Sequence, residues 1–211
     1  MGDRVNYKKE TDIRQLIPQM NAIETATFGH ILDEGFMAPE IQSLFPQSRC
    51  FGQVVTVSLP DDNGYILPAA LDEVKPGDVL VITCPDSDRH ACWGEVMATA
   101  AKCSGIAGVI IDGFVTDLHA LTNIGLPVWC KGRSPLTTKR RQKEGTINQP
   151  VVCGGIVVTP GDWILADENG VLCLAPDIFI GNLDEVTEIQ CREPSLIERI
   201  NKGERLSKIY Q

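Results

Sequence analysis

Two acidic side chains stand where the chain passes from strand to helix. Glu95 lies in the run Gly94-Glu95-Val96-Met97, and Asp117 follows Gly113-Phe114-Val115-Thr116. The first comes after a strand ending at Thr83 and the segment CPDSDRHACW; the second comes after a strand ending at Asp112. Open parallel sheets bind ligands beyond the carboxyl ends of their strands, where helix N-termini point unpaired amides outward. If these strands are neighbours, both carboxylates converge beside several free N–H groups. Such a pair suits a hard divalent cation with an anionic substrate, because Mg²⁺ takes one or two protein carboxylates and fills its shell with water or substrate oxygens. The plainer reading is that Asp117 caps its own helix and Glu95 sits at a positive helix end. Spacing alone leans to the plainer one.

Other reactive residues carry less. His30, His90 and His119 show no ligand spacing with any cysteine or carboxylate. His119, two positions past Asp117, is near enough to line the site but reads first as a surface histidine. No GxSxG, GxxxxGK or GxGxxG occurs. The cluster Lys139-Arg140-Arg141 with Lys143 reads as a solvated loop, although one basic group reaching the pocket would balance an anion.

The elements that must position these residues follow from periodicity. Between Thr11 and Phe36, apolar residues recur at helical spacing, with Pro18 expected to divide them into two short helices and Gly35 to stop the second. Cys50 to Leu59 alternates and reads as a strand, as do Asp78 to Thr83, Ala107 to Asp112 and Leu126 to Cys130. Helices are expected over Gly94 to Ser104, with Val96, Met97, Ala100 and Ala101 on the apolar face, and from Asp117 past Leu118 and Leu121. This tight alternation implies parallel crossovers. Then PVVCGGIVV and DWILADENGVLCL read as strands, with Asn169-Gly170 as a hairpin signal. From Leu183 to Tyr210 an amphipathic helix is expected, broken at Pro194. The fold class is α/β with a mixed parallel/antiparallel sheet in one domain, residues 1–211. Within it lie N-terminal helices over 11–34, a core over 50–176 and a helical tail over 183–210.

The 211 residues are 43% apolar and 22% charged, which excludes a disordered chain. A formal charge of −9 argues against nucleic acid or an anionic membrane surface as partner. No stretch reaches the ~20 apolar residues of a membrane helix, and MGDRVNYKKE lacks a secretory apolar run. The eight cysteines form no CxxC pair and sit mostly in apolar strings, as reduced core residues would. The expected compartment is the cytoplasm.

Several stretches together carry a family resemblance: TATFGHILDEG, FGQVVTV, EVKPGDVLVI, GEVMATAAKCSGIAGVIIDGFVTD, LPVWCKGRSP, PVVCGGIVVTPGDWILADENGV and IERINKGERL. The sequence resembles the RraA-like family, which joins 4-hydroxy-4-methyl-2-oxoglutarate aldolases to regulator-of-ribonuclease-activity A proteins. The resemblance implies a swivelling α-β-β-α sandwich assembled as a homotrimer or homohexamer, with the site near a subunit interface. It implies a lyase that cleaves 4-hydroxy-2-oxo acids to pyruvate and decarboxylates oxaloacetate, using Mg²⁺ or Mn²⁺ as a Lewis acid. It places the substrate carboxylate on Gly94, Glu95, Val96 and Met97, Glu95 near the metal's waters, and the metal on Asp117. It also implies a Glu from a neighbouring subunit's C-terminal helix, for which Glu193 is the nearest match.

One departure matters. The family's Arg before the metal-holding Asp is here Thr116, and the acidic residue three positions after that Asp is here Ala120. Losing a guanidinium aimed at developing charge typically costs ~10²–10³ in rate, and Thr makes no bidentate contact to a carboxylate. Another cation (Arg140, Lys139 or Arg133) supplies the charge, or the substrate differs, or the activity has gone. The alternatives to a metal-dependent lyase are therefore the same scaffold with different small-acid chemistry, and a non-enzymatic protein that binds a ribonuclease.

Overall fold

The computed structural model describes residues 12–20, 22–87 and 89–209, so Thr11 and Tyr210, the outer limits of the expected terminal helices, lie outside the described residues. The centre of the fold is a run of parallel strands: β2 (Cys50–Ser58), β3 (Val79–Thr83), β5 (Gly108–Val115) and β6 (Val128–Arg133). They are hydrogen-bonded in the order β6-β5-β3-β2. A short β1 (Gln42–Ser43) runs antiparallel on β6, and β10 (Trp163–Asp167) with β11 (Gly170–Leu174) extends the other side antiparallel to β2. Two further pieces pair off this path: β4 (Ala91–Trp93) with β5, and β7 (Thr146–Ile147) with β2. A separate hairpin joins β8 (Val151–Cys153) to β9 (Ile156–Val158) through Gly154 and Gly155, at φ +55° and +81°. The α/β class and mixed sheet are as expected.

Side-chain alternation sorts the core into layers. Val55, Leu80, Ile82, Val109, Ile111 and Val128 pack against α3 (Leu67–Asp72), α4 (Glu95–Cys103) and α5 (Leu118–Ile124). Their neighbours Val54, Val79, Val81, Ile110 and Trp129 point the opposite way, toward β8, β9 and the inner faces of β10 and β11. The outer faces of β10 and β11, with Phe51, meet α1 (Ile17–Met20), α2 (Thr25–Phe28) and α6 (Pro176–Asn201). The layers run helix, sheet, sheet, helix. Strands covered on both faces are apolar throughout, which is why β2 is buried at seven of nine positions instead of alternating between core and solvent.

Several local expectations need correction. Pro18 does not divide the helices: it sits in the first turn of α1, where its missing N–H has no intrahelical partner to lose. Helix α2 ends at Phe28, well before Gly35, which lies at φ +88° just before the bridge from Phe36 to Leu172. On α4 the buried face is Ala98 and Ala101, while Val96 is 81% exposed. Strands β5 and β6 run beyond Asp112 and Cys130 because they pair with each other there. The β10–β11 loop is Glu168-Asn169, since Asp167 already pairs with Gly170. Helix α6 starts at Pro176 and passes through Pro194 without a break. Pro194 is exposed, so the carbonyl it leaves unpaired one turn earlier lies on a solvent-facing stretch, and the short α7 (Leu206–Ile209) follows.

Candidate active site

Strand β4 brings the site together. Its partner β5 is already flanked by β6 at Phe114 and Val115, so β4 takes the edge that β3 leaves at Thr83. Thr116 N–H donates to the Trp93 carbonyl at 2.8 Å, and Ser134 N–H donates to the Val115 carbonyl at 2.9 Å. The ends of β4, β5 and β6 are thereby stitched side by side, and Gly94, Asp117 and Arg133 emerge at one rim.

Glu95 and Asp117 do converge, but not as two free carboxylates. Asp117 Oδ2 accepts the Glu95 N–H at 3.0 Å and so caps α4, whereas no side chain caps α5, the helix that Asp117 precedes. This corrects the expectation that Asp117 caps its own helix. The contact needs a glycine at position 94: a Cβ there would stand 2.5 Å from Asp117 Oδ2 and 2.9 Å from Thr116 Cγ2. It also needs Asp117 in the left-handed region, at φ +54° and ψ +40°, which Asp tolerates better than most residues. Asp117 Oδ1 lies 3.4 Å from the Thr116 hydroxyl.

The first turn of α4 keeps two donors. Ala98 N–H closes on the Gly94 carbonyl and Glu95 N–H is taken, while among the described residues no acceptor meets the N–H of Val96 or Met97. Unpaired amides at a helix start favour an anion. Asp117 also lines a cavity of about 200 Å³ with Val115, Thr116, Leu118, Arg133, Ser134 and Pro135, and joins it to the first turn of α4 through its bond to Glu95 N–H. Leu118 was read only as a helix residue and Ser134 not at all; the β5–β6 pairing brings Ser134 to the Val115 carbonyl.

The remaining candidates lie elsewhere. Arg140 rests over the Tyr65 ring at 5.5 Å and Arg141 pairs with Asp62 at 2.6 Å, so both arginines of the basic cluster are occupied on their own loop. Glu193 is exposed on α6, and neither it, Arg140 nor Lys139 lines this cavity. His119 is exposed beside Asn123, 3.4 Å away, in keeping with a surface histidine.

Two carboxylates away from this cavity have partners of their own, Asp167 buried and Asp112 half-buried. Asp167 receives Thr25 N–H, Thr25 hydroxyl and Asn169 N–H at 2.7, 2.6 and 2.9 Å, with the Arg49 guanidinium at 3.7 Å. Asp112 holds Gly154 N–H at 2.7 Å and pairs with Lys131. Among the described residues no group of three His, Cys, Asp or Glu side chains could cage a metal. The donor set at Asp117 is hard oxygen on one open side, which fits a Mg²⁺-type ion completed by water and substrate and does not fit a closed zinc centre.

With this geometry in place, the comparisons decide the family. Residues 23–173 match the RraA-like model, described as Aldolase/RraA. This chain belongs to the RraA-like family. A relative from Halalkalibacterium halodurans, named "Putative 4-hydroxy-4-methyl-2-oxoglutarate aldolase", is 31% identical over 157 residues, covering 74% of each chain. An uncharacterized protein from Pseudomonas syringae superposes with a TM-score of 0.84 at 25% identity, covering 98% of both chains. RraAS2 from Streptomyces coelicolor, described as an unusual member of the RNase ES inhibitor RraA protein family, gives 0.74 at 26% identity over 87% of this chain and 98% of its own. The RraA-like match contains every residue lining the cavity at Asp117, while Glu193 lies beyond it.

Proposed function

We propose that this RraA-like chain is a divalent-cation-dependent lyase that cleaves a 4-hydroxy-2-oxo acid to pyruvate or decarboxylates oxaloacetate, with substrate choice altered by Thr116. One observation carries the reading: Asp117 is anchored on the start of α4, with the free N–H groups of Val96 and Met97 beside it. Mg²⁺ or Mn²⁺ bound there supplies a Lewis acid for the 2-keto oxygen. Asp117 presents a carboxylate already oriented by its bond to Glu95 N–H, and Val96 and Met97 amides receive the substrate carboxylate. Thr116 offers one neutral hydroxyl where the family resemblance implies a guanidinium. Glu95 holds water at the helix start, and Glu193 of a neighbouring copy completes the site in a homotrimer or homohexamer. Exposed Ile197, Ile200 and Leu206 on the tail support such an assembly. Arg140, lying over Tyr65, is given no step.

The test is pyruvate release from 4-hydroxy-4-methyl-2-oxoglutarate and from oxaloacetate with Mg²⁺. Turnover that stops with chelator and with Asp117→Ala supports the lyase. If only Thr116→Arg gains turnover, the scaffold serves different small-acid chemistry. A second reading, a binding protein for a ribonuclease, is favoured by Thr116 and by the likeness to RraAS2. It predicts no turnover, and partner capture that survives Asp117→Ala.

A further inference from the structure

We propose that Arg133 binds a second, distal carboxylate of the oxo acid and makes the site selective for dicarboxylates; this rests on the lyase reading above. Val115 pairs with Arg133 across β5 and β6, so Arg133 stands at the rim on the side of Asp117 opposite β4 and the α4 amides. Neighbouring strands lie roughly 4.8 Å apart, so the amides at the end of β4 and the guanidinium root at the end of β6 are separated by about two such spacings. An acid whose first carboxylate sits on Val96 and Met97 and whose keto oxygen points at the Asp117 position extends its far end toward β6. A monocarboxylate meets nothing charged there; a dicarboxylate meets Arg133.

Other cations of the chain are engaged elsewhere, and Arg133 is not. Arg49 is engaged by the Met20 and Ile23 carbonyls and by Asp167, Lys131 by Asp112, and Arg141 by Asp62. Arg133 enters no ion pair or side-chain hydrogen bond among the described residues, and no other Arg or Lys lines the cavity. A planar guanidinium grips a carboxylate through two parallel N–H bonds. The positive charge absent at Thr116 is thus restored from the adjacent strand, aimed at the far end of the substrate instead of at its keto group.

Calorimetric titration in Mg²⁺ with 2-oxoglutarate and 2-oxopentanoate tests this, because the two ligands differ only in a terminal carboxylate against a methyl group. The wild-type chain is expected to bind 2-oxoglutarate about tenfold or more tightly than 2-oxopentanoate. Arg133→Met is expected to erase that ratio while leaving 2-oxopentanoate affinity and the melting temperature unchanged, and Arg133→Lys to keep part of it. Equal wild-type affinities overturn the role of Arg133 and leave the lyase standing. A ratio that persists in Arg133→Met assigns the discrimination to another group and overturns it equally. If neither ligand binds, the lyase reading fails and this inference falls with it.

Discussion

The carboxylate of Asp117 caps a helix other than its own, accepting Glu95 N–H at 3.0 Å across 22 residues of sequence. One oxygen is tied to the start of α4, and among the described residues the other has only the more distant Thr116 hydroxyl as a hydrogen-bond partner. Holding a non-glycine residue at φ +54° costs about 1 kcal/mol, and the cap offsets it. The geometry presents one oriented oxygen to the cavity before any ligand arrives.

Asn and Ala at position 117 should therefore behave differently. Asp117→Asn keeps an acceptor for Glu95 N–H, so its melting temperature should stay near wild type. Asp117→Ala should lose about 1 kcal/mol of stability with the cap. Both should lower Mg²⁺-dependent pyruvate release by ~10² or more. Calorimetry beside a pyruvate assay separates the two effects, and an Asn variant with full turnover would remove the charge from the mechanism.

Gly94→Ala places a methyl 2.5 Å from Asp117 Oδ2, so the carboxylate must swing away. A displacement of about an ångström at a reacting centre can cost 10²-fold, and a loss of that order in kcat is expected. A structure of the variant should show Asp117 detached from Glu95 N–H; an unmoved Asp117 would contradict the account.

Much of this was readable in the sequence, and what was not has physical causes. Strands β3, β5 and β6 announce themselves through continuous apolar runs, and β2 through its alternation. Strand β4 does not: Ala91-Cys92-Trp93 is too short to show a period and follows a polar stretch. Without it, nothing in the spacing tells whether Gly94 reaches Asp117. The pairing of Glu95 with Asp117 depends on a left-handed backbone at an aspartate, which no local pattern encodes. Arg133 was one of three candidate cations, and only the register Val115 to Arg133 separates it from Arg140 and Lys139. The helix through Pro194 was missed because a proline usually ends a helix, and the exposed setting that tolerates it is a tertiary fact.

The Asp167 network should dominate stability without touching chemistry. Asp167→Ala strands the Thr25 N–H and hydroxyl, both buried, and leaves the Arg49 guanidinium uncompensated. A loss of about 3 kcal/mol is expected, measurable by urea unfolding. Unchanged oxalate binding in the folded fraction would show that the two regions are independent.

The thiols should respond by burial. Cys103 and Cys191 are exposed and the other six are buried, so iodoacetamide at pH 8 should modify two sites in the native chain and eight after unfolding. Burial pushes the Cys50 and Cys153 thiols up, and moves Cys173 from its ordinary 9.0 to about 12. The folded state then holds protons that the unfolded state releases. This contribution is whole below 9.0 and declines as pH rises toward about 12. Unfolding free energy should fall across that window, and Cys173→Ala should flatten the decline.

Strands β3 and β4 occupy successive stretches of one edge of β5, at Asp112 and then Phe114. The chain leaves the sheet after Thr83 and returns to the same neighbour at Ala91. Both ends of the detour are fixed by a strand it does not interrupt. A change of length there would leave both flanking registers on β5 in place, so this short detour is where the scaffold absorbs an insertion or deletion at least cost.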